Sequence, residues 1–90
     1  MASSRNIRFS SSAWAHYQYC MGQDKATLRR INALINDALR EPYDGIGKPE
    51  PLRHEFSGWW SRRIDQEHRL VYRLREETLE MAALRYHYGE

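Results

Sequence analysis

The chain has 90 residues, 41% of them hydrophobic, 12% aromatic and 29% charged, with a formal net charge of +2 at pH 7. That length holds one hydrophobic core, so a single domain over residues 1–90 is expected, and the aromatic content excludes a disordered chain. No uncharged apolar run approaches a membrane span, MASSRNIRFSSSAW has no apolar signal segment, and the lone Cys20 makes neither an internal disulfide nor a cysteine zinc site, so a soluble, cytoplasmic domain is expected.

In chain order, residues 1–6 read as a loose start and residues 7–9 as a short strand. Ser10, Ser11 and Ser12 offer N-cap hydroxyls for a first helix with Trp14, Tyr17 and Met21 on one face, ended by Gly22. Asp24 caps a second helix whose Leu28, Ile31, Ile35, Ala38 and Leu39 form one apolar stripe. Pro42 closes it, because proline disfavours helical geometry in the residue before it. The segment PYDGIGKPEP, residues 42–51, has three prolines and two glycines and reads as a loop. After it the period changes from 3.6 to 2, and residues 59–64, 69–75 and 78–86 read as strands joined by turns at 65–67 and 76–77. Alternation places Leu70, Tyr72 and Leu74 on one face and Arg69, Val71 and Arg73 on the other; Arg85, by its parity with His87, is expected on the arginine-bearing side. The expected fold is α+β, with two N-terminal helices on one face of a small antiparallel sheet and the other face open.

The positive charge is built from twelve arginines against two lysines. Guanidinium groups hold phosphate oxygens bidentately and stack on bases, which ammonium groups do less well. Between Gly47 and Arg75 lie Lys48, Arg53, Arg62, Arg63, Arg69, Arg73 and Arg75, against Glu50, Glu55, Asp65 and Glu67, with Phe56, Trp59, Trp60 and Tyr72 interleaved. Such a mixture suits single-stranded RNA. The plainer alternative is a set of strands with arginines on their solvated face.

Several chemistries lack their residues. His16, His54, His68 and His87 show no metal-ligand spacing, Gly45-Ile46-Gly47-Lys48 is half a phosphate loop, and no serine nucleophile elbow is present. No metal and no cofactor is expected. Metal-free RNA cleavage needs less, since the substrate supplies its own 2′-hydroxyl nucleophile; the protein adds a general base, a cation and a general acid. Candidates are Glu50, Arg63, Arg69, His54, His68 and His87, although each alone also reads as an ordinary surface residue.

The run GKPEPLRHEFSGWWSRRIDQEHRLVYRL, residues 47–74, together with ALRYHY at 83–88, resembles the YoeB toxins of bacterial type II toxin–antitoxin systems, within the RelE superfamily. The resemblance reaches from about Trp14 to Tyr88. It implies a two-helix, small-sheet fold and a ribosome-dependent messenger RNA endonuclease that cuts in the A site. By the same resemblance, Glu50 of KPEP is the general base, Arg69 of EHRLVY the transition-state cation and His87 of RYHY the general acid. Tyr88 positions the RNA, Arg63 adds a phosphate contact, and Lys48 and Arg53 support backbone binding. Position 53 is often lysine in the family, and both residues are cationic. Implied partners are a YefM-like antitoxin, the bacterial ribosome, messenger RNA and a second copy of the chain, with no membrane. Competing readings are a non-catalytic ribosome or RNA binder that inhibits translation, and a superfamily relative that poisons another target such as DNA gyrase.

Overall fold

A helix of 16 residues needs a cap, an apolar stripe and a stop, and Lys25–Arg40 has all three. In the computed structural model, which describes residues 5–86, this is α2. The Asp24 carboxylate accepts from the Thr27 backbone N–H at 3.0 Å, and Ile31, Leu34, Ile35 and Ala38 are buried. The helix ends at Arg40, before Pro42. The preceding helix, α1, spans Ser11–Gln23 and is capped by the Ser10 hydroxyl, which accepts from the Ala13 N–H at 3.0 Å. It runs through Gly22, where glycine was expected to end it; the Asp24 N–H instead donates to the Cys20 carbonyl. Asp24 thus closes one helix and opens the next. The buried face of α1 also differs from expectation. Ala13 and Cys20 enter the core with Tyr17 against them, while Trp14 and Met21 stay exposed. Trp14 is occupied by stacking on Tyr17 at 5.8 Å and by an edge contact with Phe9 at 5.6 Å.

The helices cover a five-stranded sheet. Its strands are β1 (Asn6–Phe9), β2 (Glu50–Pro51), β3 (Trp60–Arg63), β4 (Arg69–Arg75) and β5 (Thr78–Tyr86), in the order β1-β5-β4-β3-β2. The expected antiparallel meander is β3-β4-β5; each edge adds a strand. β1 lies parallel to β5, from Asn6↔Thr78 to Phe9↔Met81. β2 pairs with β3 through Glu50↔Ser61 and Pro51↔Trp60, so the end of the expected loop is a two-residue edge strand. Proline fits there because an edge position needs no N–H on its outer side. A single 3₁₀ turn, His54–Phe56, follows.

The alternation of β4 holds: Leu70 and Tyr72 join the helix-side core with Leu79, Met81 and Leu84. β5 is less regular. Against β4 it spends an extra residue between Met81 and Ala83 and another between Ala83 and Tyr86. These irregularities let Met81 and Leu84 both face the core and set Tyr86 opposite Arg69. They also undo the parity argument for Arg85: Tyr86, opposite Arg69, faces the open side, so the residue before it is turned toward the helices.

Candidate active site on the open face of the sheet

Cross-strand register arranges the face away from the helices in rows. One row runs Glu50, Ser61, Val71, Ala83 across β2, β3, β4 and β5; the next runs Arg63, Arg69, Tyr86. Glu50 and Arg69 are diagonal neighbours, and their side chains meet. One Arg69 nitrogen lies 2.8 Å from Glu50 Oε2 in an ion pair and donates to Ser61 Oγ at 2.8 Å. Arg69 is 8% exposed, whereas the Glu50 side chain is 42% exposed. A guanidinium fixed beneath the surface thus stands beside a carboxylate that reaches solvent.

The loop that delivers Glu50 is held from below by Arg62. Arg62 is fully buried on the helix side, so it is not among the basic residues that RNA could reach, contrary to its place in the basic stretch. Its guanidinium donates to Asp37 Oδ2 at 2.7 Å and to the carbonyls of Glu41 at 2.6 Å, Asp44 at 2.9 Å and Ile46 at 3.1 Å. The remaining N–H donates to the Tyr72 hydroxyl, which itself donates to the Pro42 carbonyl at 2.6 Å. That Arg62 hydrogen bond and the Ile46 N–H hold the Asp37 carboxyl below its usual range, while burial pushes the Tyr72 phenol up. At Gly47, φ is +81° and a Cβ would lie 2.6 Å from Leu34 Cδ2, so only glycine fits; its carbonyl accepts from the Arg63 N–H at 2.7 Å. Lys48 follows with φ of +53°, a left-handed conformation that a non-glycine residue adopts at a cost.

The other candidates divide clearly. Arg63 is exposed opposite Arg69, its carbonyl accepts from Arg30, and with Arg69, Asp65, Gln66 and Glu67 it lines a polar depression of about 200 Å³. Lys48 and Arg53 are exposed on the segments flanking β2. His68 is tied to Asp65 in the β3–β4 turn at 3.3 Å. His54 is exposed with φ of +60°. His87 and Tyr88 lie outside the described residues. Ser61 and Tyr86 are site neighbours that the residue pattern alone did not single out; the diagonal from Glu50 to Arg69 passes over Ser61, and only the register reveals it. Among the described residues, no three His, Cys, Asp or Glu side chains converge as a metal site would require.

Residues 9–88 match the sequence profile described as the YoeB-like toxin of bacterial type II toxin-antitoxin system. The chain belongs to this family. Toxin YoeB of Mycobacterium bovis is 50% identical over 84 residues, covering 93% of this chain and 99% of that one. Among solved structures, the YoeB/ParE toxin from Agrobacterium tumefaciens superposes with a TM-score of 0.90 at 41% identity, covering 92% of this chain and 99% of that one. YoeB from Staphylococcus aureus, also 41% identical, superposes with TM-scores of 0.88 as a dimer and 0.87 in a heterotetrameric complex with YefM, each covering 93% of this chain and 98% of that one. The fold and the toxin family are therefore those that the KPEP, SRRI, EHRLVY and RYHY motifs imply.

Proposed function

We propose that this toxin inhibits translation as a ribosome-dependent endoribonuclease that cuts messenger RNA in the A site without a metal ion. The observation that carries the reading is the 2.8 Å Glu50–Arg69 pair on the open face, a solvent-reaching carboxylate with a guanidinium just beneath it. Glu50 takes the proton of the 2′-hydroxyl as that oxygen attacks the adjacent phosphorus. Arg69, held by Ser61, offsets the charge that builds on the phosphorane oxygens. His87 gives its proton to the departing 5′-oxygen, leaving a cyclic 2′,3′-phosphate and a free 5′-hydroxyl. Arg63, Lys48 and Arg53 hold the RNA backbone, and Tyr88 positions the nucleotide. With so few catalytic groups, the rate depends on the geometry imposed on the message, which the ribosome supplies.

By its likeness to the Staphylococcus aureus protein, the toxin pairs with a YefM-like antitoxin and forms a homodimer when alone. Among the described residues no helix is long and apolar enough to cross a membrane. The test is primer extension on a translated message with purified bacterial ribosomes. Discrete cuts within the A-site codon, persisting in EDTA at the lowest magnesium that keeps ribosomes intact and lost without ribosomes or with His87→Gln, are expected. Blocked translation of an uncut message would instead make the protein a ribosome-binding inhibitor, and undisturbed translation would point to another target.

A further inference from the structure

The open face carries a third row that the catalytic reading does not use. Arg8 of β1 and Arg73 of β4 both lie opposite Glu80 of β5, and Trp59 stands beside Arg73 with the guanidinium 4.3 Å from its ring centroid. Together with Arg75 and Ala82 these residues line a cleft of about 220 Å³. We propose that this cleft is a binding subsite for the message on the far side of the cleavage point, taking a backbone phosphate between Arg8 and Arg75 and a base on the Trp59–Arg73 stack. The inference rests on the nuclease reading above and extends it.

Charge is the first argument. Three arginines surround one carboxylate, and among the described residues lining the cleft Glu80 is the single acidic one. Arg73 donates to Glu80 Oε1 at 2.6 Å and holds that carboxyl below its usual range, so one positive charge is matched. Arg8 lies 3.7 Å from the other Glu80 oxygen with its side chain 73% exposed, and Arg75 is exposed. Two guanidiniums therefore remain for an anion. Shape is the second: an acidic peptide would use the arginines, but the flat Trp59–Arg73 stack suits the face of a base. Position is the third. Arg69, Arg73 and Arg75 share one face of β4, and four residues at about 3.3 Å each put Arg73 roughly 13 Å from Arg69, a short step along a nucleic-acid strand.

The test uses the full chain and a labelled all-2′-O-methyl RNA oligonucleotide, which cannot be cleaved, with binding followed by fluorescence anisotropy across a salt series. Arg8→Ala with Arg75→Ala changes two exposed side chains and leaves the Arg73–Glu80 pair in place. Binding is expected to weaken about tenfold at low salt, and the slope of log K against log salt to fall by about 0.7, the value for one phosphate contact. Trp59→Leu is expected to weaken binding about fivefold or more with the salt slope unchanged. Unchanged affinity and slope in the double variant overturn the subsite, as does a loss seen only with a glutamate-rich peptide or only with message-free ribosomes. Primer extension on the same preparations separates the two readings. Cleavage by the unsubstituted toxin with binding indifferent to Arg8 and Arg75 removes the subsite alone. Arginine-dependent binding without any cleavage removes the nuclease and leaves a single-stranded RNA site.

Discussion

Arg62 and Arg69 sit on neighbouring strands, are both buried and both hold a carboxylate at under 3 Å, yet they do opposite things. Arg62 spends its donors inside the protein, on Asp37, Tyr72 and three loop carbonyls. Arg69 is paired with Glu50, whose side chain is 42% exposed, at the edge of a polar depression. The difference lies in which face of the sheet each residue points to, which a step of one along a strand decides. A guanidinium saturated by carbonyls fixes a loop, whereas one sharing a solvent-reaching carboxylate holds that carboxylate at the surface, where the proposed reaction needs it.

Substitutions can test how separate the two roles are. Arg62→Ala should have the largest effect, about 3–5 kcal/mol of lost stability, because it leaves Asp37 and several loop carbonyls without their buried donor. Denaturant unfolding measures it, and a loss under 1 kcal/mol would deny Arg62 its structural role. Glu50→Gln should lower ribosome-dependent cleavage about 10²- to 10⁴-fold while moving the unfolding midpoint little. A parallel loss of ribosome affinity would argue against its role as base. Asp37→Asn comes next, at about 1–3 kcal/mol near neutral pH. Its folded carboxyl titrates below the unfolded value of about 3.9, so its stabilisation is complete above that pH and disappears as pH falls through the folded value. Acid unfolding of Asp37→Asn should accordingly show a shallower pH dependence. Ser61→Ala should be smallest, about 1 kcal/mol in stability and about tenfold in cleavage, through a less firmly held Arg69; an unchanged single-turnover rate would leave Ser61 a packing residue.

The legible parts of the sequence were those where one local signal decides one outcome. Asp24, the Ile31–Ile35–Ala38 stripe and Pro42 specify α2 without help from the rest of the chain. The first helix was harder, because Trp14 and Met21 are as apolar as anything that could fill the core, while the small Ala13 and Cys20 fit where helix and sheet approach closely. Arg62 was illegible: a basic residue in a strand reads as solvated, and its partners come from 16 to 25 residues away in sequence, with Tyr72 at 10. The irregular register of β5 has no sequence mark, and it reversed the side expected for Arg85. Glu50 and Arg69 are candidates for metal-free RNA cleavage by residue type, motif resemblance assigns their roles, and the register of β2 on β3 and β3 on β4 is what makes them neighbours. His87 and Tyr88 rest on the motif alone.

The parallel pairing of β1 with β5 joins residues about seventy positions apart, from Asn6↔Thr78 onward. Loop closure over such a distance is slow, and strand pairing of this kind waits for both partners to be present. β5 emerges after the other four strands, and it supplies both the neighbour of β1 and Tyr86 opposite Arg69. A growing chain therefore carries Glu50 and Arg69 before it has a complete sheet around them. The order of synthesis itself therefore places completion of the sheet around Glu50 and Arg69 after β5 has been made.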